Sequence, residues 1–148
     1  MLDKQNQLSN LVSHHMLAIV GNFSKIRDSD LPAPQFYILQ TLAKQDMLTS
    51  SYFANIMDVT LSAITNLSNK LVRKGYIERV VSETDRRQTY LKITEQGREV
   101  EQRMLERYRY LTDDLWSDFT DEELDLLIVS YEKMIAKMES KSNEQKSE

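Results

Sequence analysis

Residues 59–97 constrain the fold most, because they predict a helix followed at once by two strands. Thr60 is a favourable N-cap, since its hydroxyl can accept a hydrogen bond from an unpaired backbone N–H of the first turn. Gly75 stands where the helix must stop, because glycine tolerates the positive φ of a C-terminal cap. The apolar positions that recur at helical spacing and form one buried stripe are Ile64, Leu67 and Leu71.

The opposite face of this helix carries short polar side chains and no acid. Its members are Ser62, Thr65, Asn66, Asn69 and Arg73. Such side chains offer the hydrogen-bond donors and acceptors that a helix needs to contact base edges in the major groove of DNA. The alternative is an ordinary solvated face, although such faces usually mix Glu and Lys in i,i+4 pairs. The helix alone leaves both interpretations open.

Two strand-like segments follow, residues 76–81 and 88–93, and both are rich in Val, Ile, Tyr and Thr. The residues between them, 82–87, are polar and turn-prone. A β-hairpin directly after such a helix is a wing. Its tip carries Arg86 and Arg87, which suit phosphates or a narrow minor groove. Helix and wing together therefore favour DNA binding.

The positive charge of the chain is concentrated on this segment. Residues 60–98 hold eight Lys or Arg against four Asp or Glu, whereas residues 99–148 hold seven against fourteen. The formal net charge of −4 argues against a protein that coats nucleic acid indiscriminately. A basic patch confined to one module is the electrostatic footprint of specific DNA binding.

Composition excludes several other classes of protein. The 148 residues include no cysteine, so there is no disulfide, thiolate metal site or thiol redox sensor. No apolar run approaches the ~18 residues of a membrane span, and the N-terminus lacks the regions of a signal peptide. The sequence predicts a soluble bacterial protein of the cytoplasm, without a membrane partner.

Nothing in the sequence predicts an enzyme. No nucleophile with its base, paired carboxylates, metal cluster or glycine-rich phosphate loop is visible, and we expect no cofactor. The adjacent His14 and His15 suggest a metal site, but neighbouring side chains on a helix point about 100° apart and do not chelate together easily. We expect no bound metal. We expect His15, which lies in an apolar stripe, to be a packed histidine with one hydrogen-bond partner.

The segments before the wing complete a helix-turn-helix. Residues 5–27 predict a long amphipathic helix, and residues 28–34 break it with two prolines. A second helix to about residue 45, a short strand at 47–49 that could pair with the wing, and a third helix at 51–57 follow. Thr49 or Ser50 caps the third helix, and the helix after Thr60 is the reader. The candidate phosphate contacts at the start of the third helix are Ser50, Ser51 and Tyr52, although Tyr52 could equally be half-buried.

After the wing, Thr94 caps a long helix to about residue 118, and Thr120 with Glu123 forms a capping box for a last helix. Residues from 139 onward have nothing to bury and are expected to fray. The first and last helices are strongly amphipathic. Their apolar faces are expected to meet those of a second chain in a two-fold dimer; a monomer that folds them back on itself is the alternative.

The sequence thus predicts a mostly α-helical fold with a small β-hairpin wing, a winged helix-turn-helix with N- and C-terminal dimerisation helices. The whole chain, 1–148, is one domain. Residues 33–97 form the winged-helix DNA-binding region, 5–27 and 98–140 the dimerisation helices, and 141–148 a frayed tail.

Three motifs together resemble the MarR (multiple antibiotic resistance regulator) family of winged helix-turn-helix bacterial transcription regulators. They are LVRKGYIER at 71–79, DRR at 85–87 with the family's D-x-R wing pattern, and LKITEQG at 91–97, which matches L-x-[LI]-T-x-x-G. The order and length of the elements agree over nearly the whole chain. Each motif alone is weak, but together they are specific.

The resemblance implies a homodimer that binds double-stranded DNA at a palindromic operator, usually as a repressor. It implies that Arg87 enters the minor groove and that Asp85 steadies the wing by pairing with a nearby arginine, for which Arg73 is a candidate. The full set of expected DNA-binding residues is Ser50, Ser51, Tyr52, Ser62, Thr65, Asn66, Asn69, Lys70, Arg73, Asp85, Arg86 and Arg87.

Many members of this family are released from DNA by phenolic or other small aromatic ligands bound between the dimer arm and the winged helix. The residues that would line such a pocket here are His15, Ile19, Phe36, Tyr37 and Tyr108. The resemblance therefore implies a dimeric, sequence-specific repressor relieved by a small-molecule effector. The alternative is a winged-helix protein-interaction module without direct operator binding.

Overall fold

The structure is a computed structural model that describes residues 1–26 and 31–144. Its elements are α1 (Leu2–Ile26), α2 (Ala33–Lys44), β1 (Met47–Thr49), α3 (Ser50–Met57), α4 (Leu61–Arg73), β2 (Ile77–Val81), β3 (Thr89–Ile93), α5 (Glu95–Thr112), a 3₁₀ turn (Asp113–Trp116) and α6 (Asp121–Glu144). This mostly helical chain with a small antiparallel sheet confirms the predicted fold class. Part of the predicted break after the first helix, residues 28–30, lies outside the described residues.

Side-chain caps begin four of the helices where the sequence predicts them. Thr49, Thr60 and Thr94 cap α3, α4 and α5, and each hydroxyl accepts a hydrogen bond at 3.1 Å from the backbone N–H three residues later. At the start of α6, the Thr120 backbone N–H donates to Glu123 Oε2 and the Glu123 backbone N–H donates to Thr120 Oγ1. This exchange is the predicted capping box.

The three strands form one antiparallel sheet in the order β1-β3-β2. The hairpin of β2 and β3 pairs from Ile77 opposite Ile93 to Val81 opposite Thr89. β1 adds to the free edge of β3, with Leu48 opposite Leu91, so the predicted pairing of residues 47–49 with the wing is confirmed. Because Ser50 follows β1 directly, this pairing also ties the start of α3 to the wing.

The core lies mainly within the winged-helix region and extends into the first half of α5. Its buried apolar residues come from the segment before α2, helices α2 to α5 and the sheet, and are Leu31, Ile38, Leu39, Leu42, Phe53, Ile64, Leu71, Ile77, Leu91, Ile93, Val100 and Met104. Full burial of one such side chain contributes roughly 1.5–3 kcal/mol. None of the described side chains of α1 or α6 belongs to this core, although residues of α6 line a cavity with α2 and α3.

Residues with positive φ shape the turns on either side of α4. Gly75 has φ 77°, and the Tyr76 backbone N–H donates to the carbonyl of Leu71 at 3.0 Å, which closes the helix in a Schellman turn. The predicted stop at Gly75 is confirmed. Asp58, in the turn between α3 and α4, has φ 52° and ψ 48°, a conformation that aspartate tolerates better than most residues with a Cβ.

Two helix ends differ from the sequence-based expectation. α5 ends at Thr112 and continues only as the 3₁₀ turn, whereas the sequence predicts a helix to about 118. The Thr112 hydroxyl donates to the carbonyl of Tyr108 at 2.9 Å, and Asp113 and Asp114 place negative charge at the negative end of the helix dipole, which disfavours further turns. α6 remains helical to Glu144, past the expected fraying point at 139; residues 145–148 are outside the described part.

Within the described ranges, no helix is both long and apolar enough to cross a membrane.

Candidate nucleic-acid interface

The start of α3, the exposed face of α4 and the tip of the wing converge on one side of the molecule. They enclose a cleft of about 310 Å³, here called the reading cleft, which is lined by Thr49, Ser50, Ser51, Leu61, Thr65, Arg87, Gln88 and Thr89. Four of the predicted DNA-binding residues, separated by up to 37 positions in sequence, therefore share one concave surface: Ser50, Ser51, Thr65 and Arg87. Gln88 and Thr89 were not expected there; their position directly after Arg87 was the signal that could have indicated them.

The predicted reading face of α4 is exposed. The residues that face solvent are Ser62, Thr65, Asn66, Lys70 and Arg73. The Thr65 hydroxyl donates to the carbonyl of Leu61 at 3.0 Å, which holds it against its own helix and leaves its oxygen lone pairs as acceptors. This face can therefore offer both donors and acceptors along one line of the helix.

Asn69 lies at the edge of this face and is only partly exposed. Its side-chain Oδ1 accepts a hydrogen bond from Arg79 Nη2 of β2 at 2.6 Å. The sequence predicts Asn69 as a groove residue but assigns no role to Arg79. A signal was available, because Arg79 follows the buried Ile77 by two residues in a strand and so projects from the same side of the sheet.

Asp85 organises the wing through the backbone. Its Oδ1 accepts from the Arg87 backbone N–H at 3.0 Å, its own N–H donates to Ser82 Oγ at 3.2 Å, and its carbonyl accepts from the Gln88 N–H at 2.9 Å. The expected pairing of Asp85 with an arginine side chain is thus replaced by a local turn. The reason is proximity, since an aspartate oxygen readily reaches the amide two residues later.

Both arginines at the wing tip are exposed, but they occupy different places. Arg87 lines the reading cleft, while Arg86 lies outside it.

Tyr52 turns away from the reading cleft. Its ring packs edge-on against Phe53 with centroids 5.5 Å apart, and it lines a separate cavity of about 290 Å³ between α2, α3 and α6. Tyr37 lines the same cavity, where burial, together with the nearby Tyr52 and Glu139, raises the pKa of its hydroxyl. The half-buried interpretation of Tyr52 therefore fits the structure better than a phosphate contact.

The five residues expected to line a ligand pocket are distributed over several places. His15, Ile19 and Tyr108 line one cavity of about 350 Å³ between α1 and α5. Tyr37 lines the cavity beside Tyr52, and Phe36 packs against the buried core. His15 and Tyr108 also line a neighbouring apolar cavity of about 490 Å³, bounded by α5, the 3₁₀ turn and α6.

Residues of α6 and the 3₁₀ turn complete this larger cavity, among them Trp116 and Tyr131. The sequence did not suggest these residues. The Tyr131 hydroxyl lies 3.1 Å from His15 Nδ1, and the two rings meet edge-on. His15 therefore has a hydrogen-bond partner, as its position in an apolar stripe indicated, but its side chain is exposed and not packed in the core. No group of three potential metal-ligating side chains occurs among the residues that the structure describes.

A buried carboxyl lies where α5 passes the end of α2. Glu101 is 7% exposed, and burial raises the pKa of its carboxyl, while the positive charges of Lys44, Arg98 and Arg109 oppose that rise. Arg98 also pairs with Asp46 at 3.5 Å. These charged side chains link α5, which carries Arg98 and Glu101, to the end of α2 and to Asp46.

An exposed helix of short polar side chains, a basic hairpin and a helix start that meet at one cleft define a DNA-binding protein of the winged helix-turn-helix class.

Comparison with known proteins specifies the family. The model of the MarR family matches residues 31–89. The uncharacterized HTH-type transcriptional regulator YpoP of Bacillus subtilis is 34% identical over 116 residues, which cover 78% of this chain and 82% of YpoP. The chain therefore belongs to the MarR family, whose members are transcriptional regulators and not enzymes.

Solved structures agree with this assignment. The transcriptional regulator BldR from Sulfolobus solfataricus matches with a TM-score of 0.75 at 27% identity, over 93% of this chain and 98% of BldR. FabT from Streptococcus pneumoniae, whose crystal structure is a complex with DNA, shares the fold with a TM-score of 0.67 at 23% identity, over 95% of this chain and 99% of FabT. The protein is a DNA-binding transcriptional regulator with a winged-helix fold.

Proposed function

We propose that this protein is a cytoplasmic transcriptional repressor that binds a palindromic operator as a homodimer and is released by a small aromatic ligand. The observation that carries the proposal is the reading cleft, in which Ser50, Thr65 and Arg87 surround one concave surface. A cleft of this kind fits a DNA backbone between two grooves, with α4 in the major groove and the wing in the adjacent minor groove. FabT, which shares the fold, has been solved in complex with DNA.

Each part of the surface has a distinct role in this proposal. Ser50 and Ser51 donate to phosphates at the start of α3, and Arg87 enters the minor groove. The side chains that contact base edges are Ser62, Thr65, Asn66 and Asn69. The longer basic side chains that contact phosphates around them are Lys70, Arg73 and Arg86.

The exposed apolar faces of α1 and α6 support the homodimer. Together they form an open apolar groove of about 540 Å³, lined by Leu8, Leu11, Val12, His15, Leu126, Leu127, Ser130, Tyr131 and Met134. Leu8 and Leu11 are 61% and 60% exposed, and Leu126 is 68% exposed. Monomers rarely leave so much contiguous apolar surface in water, so a second copy related by a two-fold axis is the occupant we propose.

The apolar cavity beside this groove supports a small aromatic ligand. Its volume of about 490 Å³ lies in the range of small-molecule sites, and Tyr108, Trp116 and Tyr131 give it aromatic walls. The polar pair of His15 and Tyr131 offers a partner for a phenol or carboxylate. Helices α1, α5 and α6 all border the cavity or its neighbour. A ligand there would therefore change the angle between α1 and α6 and the winged-helix region.

Selection of genomic DNA fragments with the purified protein tests the proposal. We expect an enriched palindrome with half-sites about one helical turn apart, nanomolar affinity and steep weakening by salt. Arg87→Ala should weaken binding to all sequences, whereas Asn66→Ala should change the preferred base at one position of each half-site. If no palindrome is enriched, operator binding is wrong.

The alternative, a winged helix that binds another protein through α4, is less well supported. The exposed face of α4 carries no acid, and the wing tip carries two exposed arginines, Arg86 and Arg87, which suit DNA contact. A mobility-shift assay with competitor DNA separates the two functions.

A further inference from the structure

The contact between Arg79 and Asn69 joins the wing to the reading helix. Arg79 stands opposite Leu91 in the β2–β3 ladder, and Leu91 and the neighbouring Ile77 are buried, so the strand that carries the guanidinium is fixed against the core. Asn69 belongs to the edge of the exposed face of α4. The distance of 2.6 Å between Arg79 Nη2 and Asn69 Oδ1 is short, as expected for a hydrogen bond from a charged donor.

This contact determines which way the Asn69 amide faces. A guanidinium only donates hydrogen bonds, so the amide oxygen must be the atom beside Arg79. A flipped amide would place N–H against N–H, which costs the hydrogen bond and adds repulsion. Arg79 therefore removes the ambiguity between oxygen and nitrogen that an isolated asparagine has.

The orientation has a consequence for base recognition. An asparagine that can flip is able to donate to guanine O6 or N7 and equally to accept from the N4 amine of cytosine. With its oxygen held by Arg79, Asn69 keeps its Nδ2 donors for the groove. Cytosine presents only a donor there, so it would meet Nδ2 without forming a hydrogen bond.

We propose that Arg79 is a specificity-determining positioning residue, which fixes the Asn69 amide so that Asn69 selects a base with a major-groove acceptor and rejects cytosine. This inference rests on the proposed function, because it requires α4 to contact base edges. Arg79 acts through Asn69, and its own charge is a separate, sequence-independent contribution.

The test compares base preferences, not affinities alone. Sequence selection with the unaltered protein defines the operator, and Asn69→Ala identifies the position in each half-site that Asn69 reads. At that position we expect Arg79→Met to raise the relative affinity for cytosine by about tenfold. Asn69→Asp, which can keep its partner Arg79 but presents a carboxylate oxygen, should prefer cytosine there.

Lys92→Met is the matched control. Lys92 lies on β3 opposite Glu78, so the substitution removes one positive charge from the same sheet but leaves the Asn69 contact intact. It should weaken binding to all sequences equally. Thermal denaturation should show that all four variants stay folded, because these side chains lie wholly or partly at the surface.

The outcomes separate the inference from the proposed function. If the unaltered protein enriches no sequence, the proposed function fails. If it enriches an operator but Arg79→Met only weakens binding uniformly, as Lys92→Met does, Arg79 is a phosphate contact and the inference is overturned. The inference is also overturned if Asn69→Ala changes no base preference, while operator binding itself stands.

Discussion

At the scale of single residues, the reading helix contains a buried hydroxyl whose oxygen has no hydrogen-bond partner among the described residues. This group is Ser68 Oγ, on the inner face of α4, where the side chain is fully buried. Ser68→Ala removes an unsatisfied polar group and introduces a better helix former. We expect the free energy of unfolding, measured by urea denaturation, to rise by about 1 kcal/mol.

Ser62→Ala, on the exposed face of the same helix, is the control for helix propensity. It should change the free energy of unfolding by less than about 0.5 kcal/mol. A loss of stability in Ser68→Ala would show that the Ser68 hydroxyl makes a stabilising contact.

The buried carboxyl of Glu101 makes stability depend on pH. Burial raises its pKa in the folded state, so folding favours the protonated form, and stability is lost as the pH rises through that raised pKa. Glu101→Gln should therefore be more stable than the unaltered protein at pH 7. The difference should vanish below about pH 4, where the carboxyl is protonated in both states.

Chemical denaturation between pH 3.5 and 8 checks this expectation, with Glu99→Gln as the control because Glu99 is an exposed acid on the same turn of α5. If Glu101→Gln is instead less stable at pH 7, the attraction of Lys44, Arg98 and Arg109 outweighs the cost of burial.

Several roles that depend on near neighbours in sequence were predictable, although the local turn of Asp85 was not, and partners in tertiary contact were not predictable. The caps at Thr60 and Thr94 follow from spacing alone, because the hydroxyl and the amide it accepts from are three residues apart. The contact of Arg79 with Asn69 spans ten residues and two elements. Tyr52 could not be assigned, because either side of α3 was open to it.

At the scale of elements, the junction of the wing with α5 depends on a close approach at Gly97. A Cβ built there would lie 2.0 Å from the carbonyl oxygen of Tyr76, and that oxygen already accepts from the Thr94 backbone N–H at 3.0 Å. Gly97→Ala must separate the start of α5 from the turn after α4. We expect a loss of roughly 2–3 kcal/mol in the free energy of unfolding, measured by thermal or urea denaturation.

Gly21→Ala is the matched control, since nothing lies within 4 Å of a Cβ at Gly21. It should leave stability unchanged or raise it by up to about 1 kcal/mol, as for glycine in a helix. Equal effects of the two substitutions would contradict a steric role for Gly97.

Boundaries of elements were predictable where a strong cap marks them. α4 begins and ends at the expected residues because Thr60 and Gly75 act locally. The end of α5 was not predictable in the same way, because no glycine or proline marks it; the acidic Asp113 and Asp114 follow its last residue.

At the scale of the whole molecule, the sequence predicted which helices are amphipathic but not how α1 and α6 pack against the winged-helix region. Phe36 and Tyr37 are adjacent in α2 and point in different directions, so one packs on the core and the other lines a cavity with α6. His15, Ile19 and Tyr108 do share a cavity. Long-range packing between helices decides such groupings, and periodicity within one helix does not contain that information.

The exposed groove between α1 and α6 is the proposed dimer interface, and a substitution in this groove tests it. Leu11 is 60% exposed and lines this groove, so a charge there should not disturb the fold of one chain but should oppose burial against a second copy. We expect the unaltered protein to sediment as a dimer at micromolar concentration and Leu11→Glu to sediment as a monomer. Its affinity for the full palindrome should fall at least 100-fold, because two half-sites are no longer bound together.

Asn10→Glu, on the other side of α1 and outside this groove, is the control and should remain dimeric. Binding to a single half-site should be equal in both variants, since the reading cleft is untouched in each. An unaltered protein that is monomeric at micromolar concentration, or a Leu11→Glu variant that still dimerises, would show that the groove is not the dimer interface. The first result would also leave the palindromic operator without a physical basis, because one reading cleft contacts one half-site.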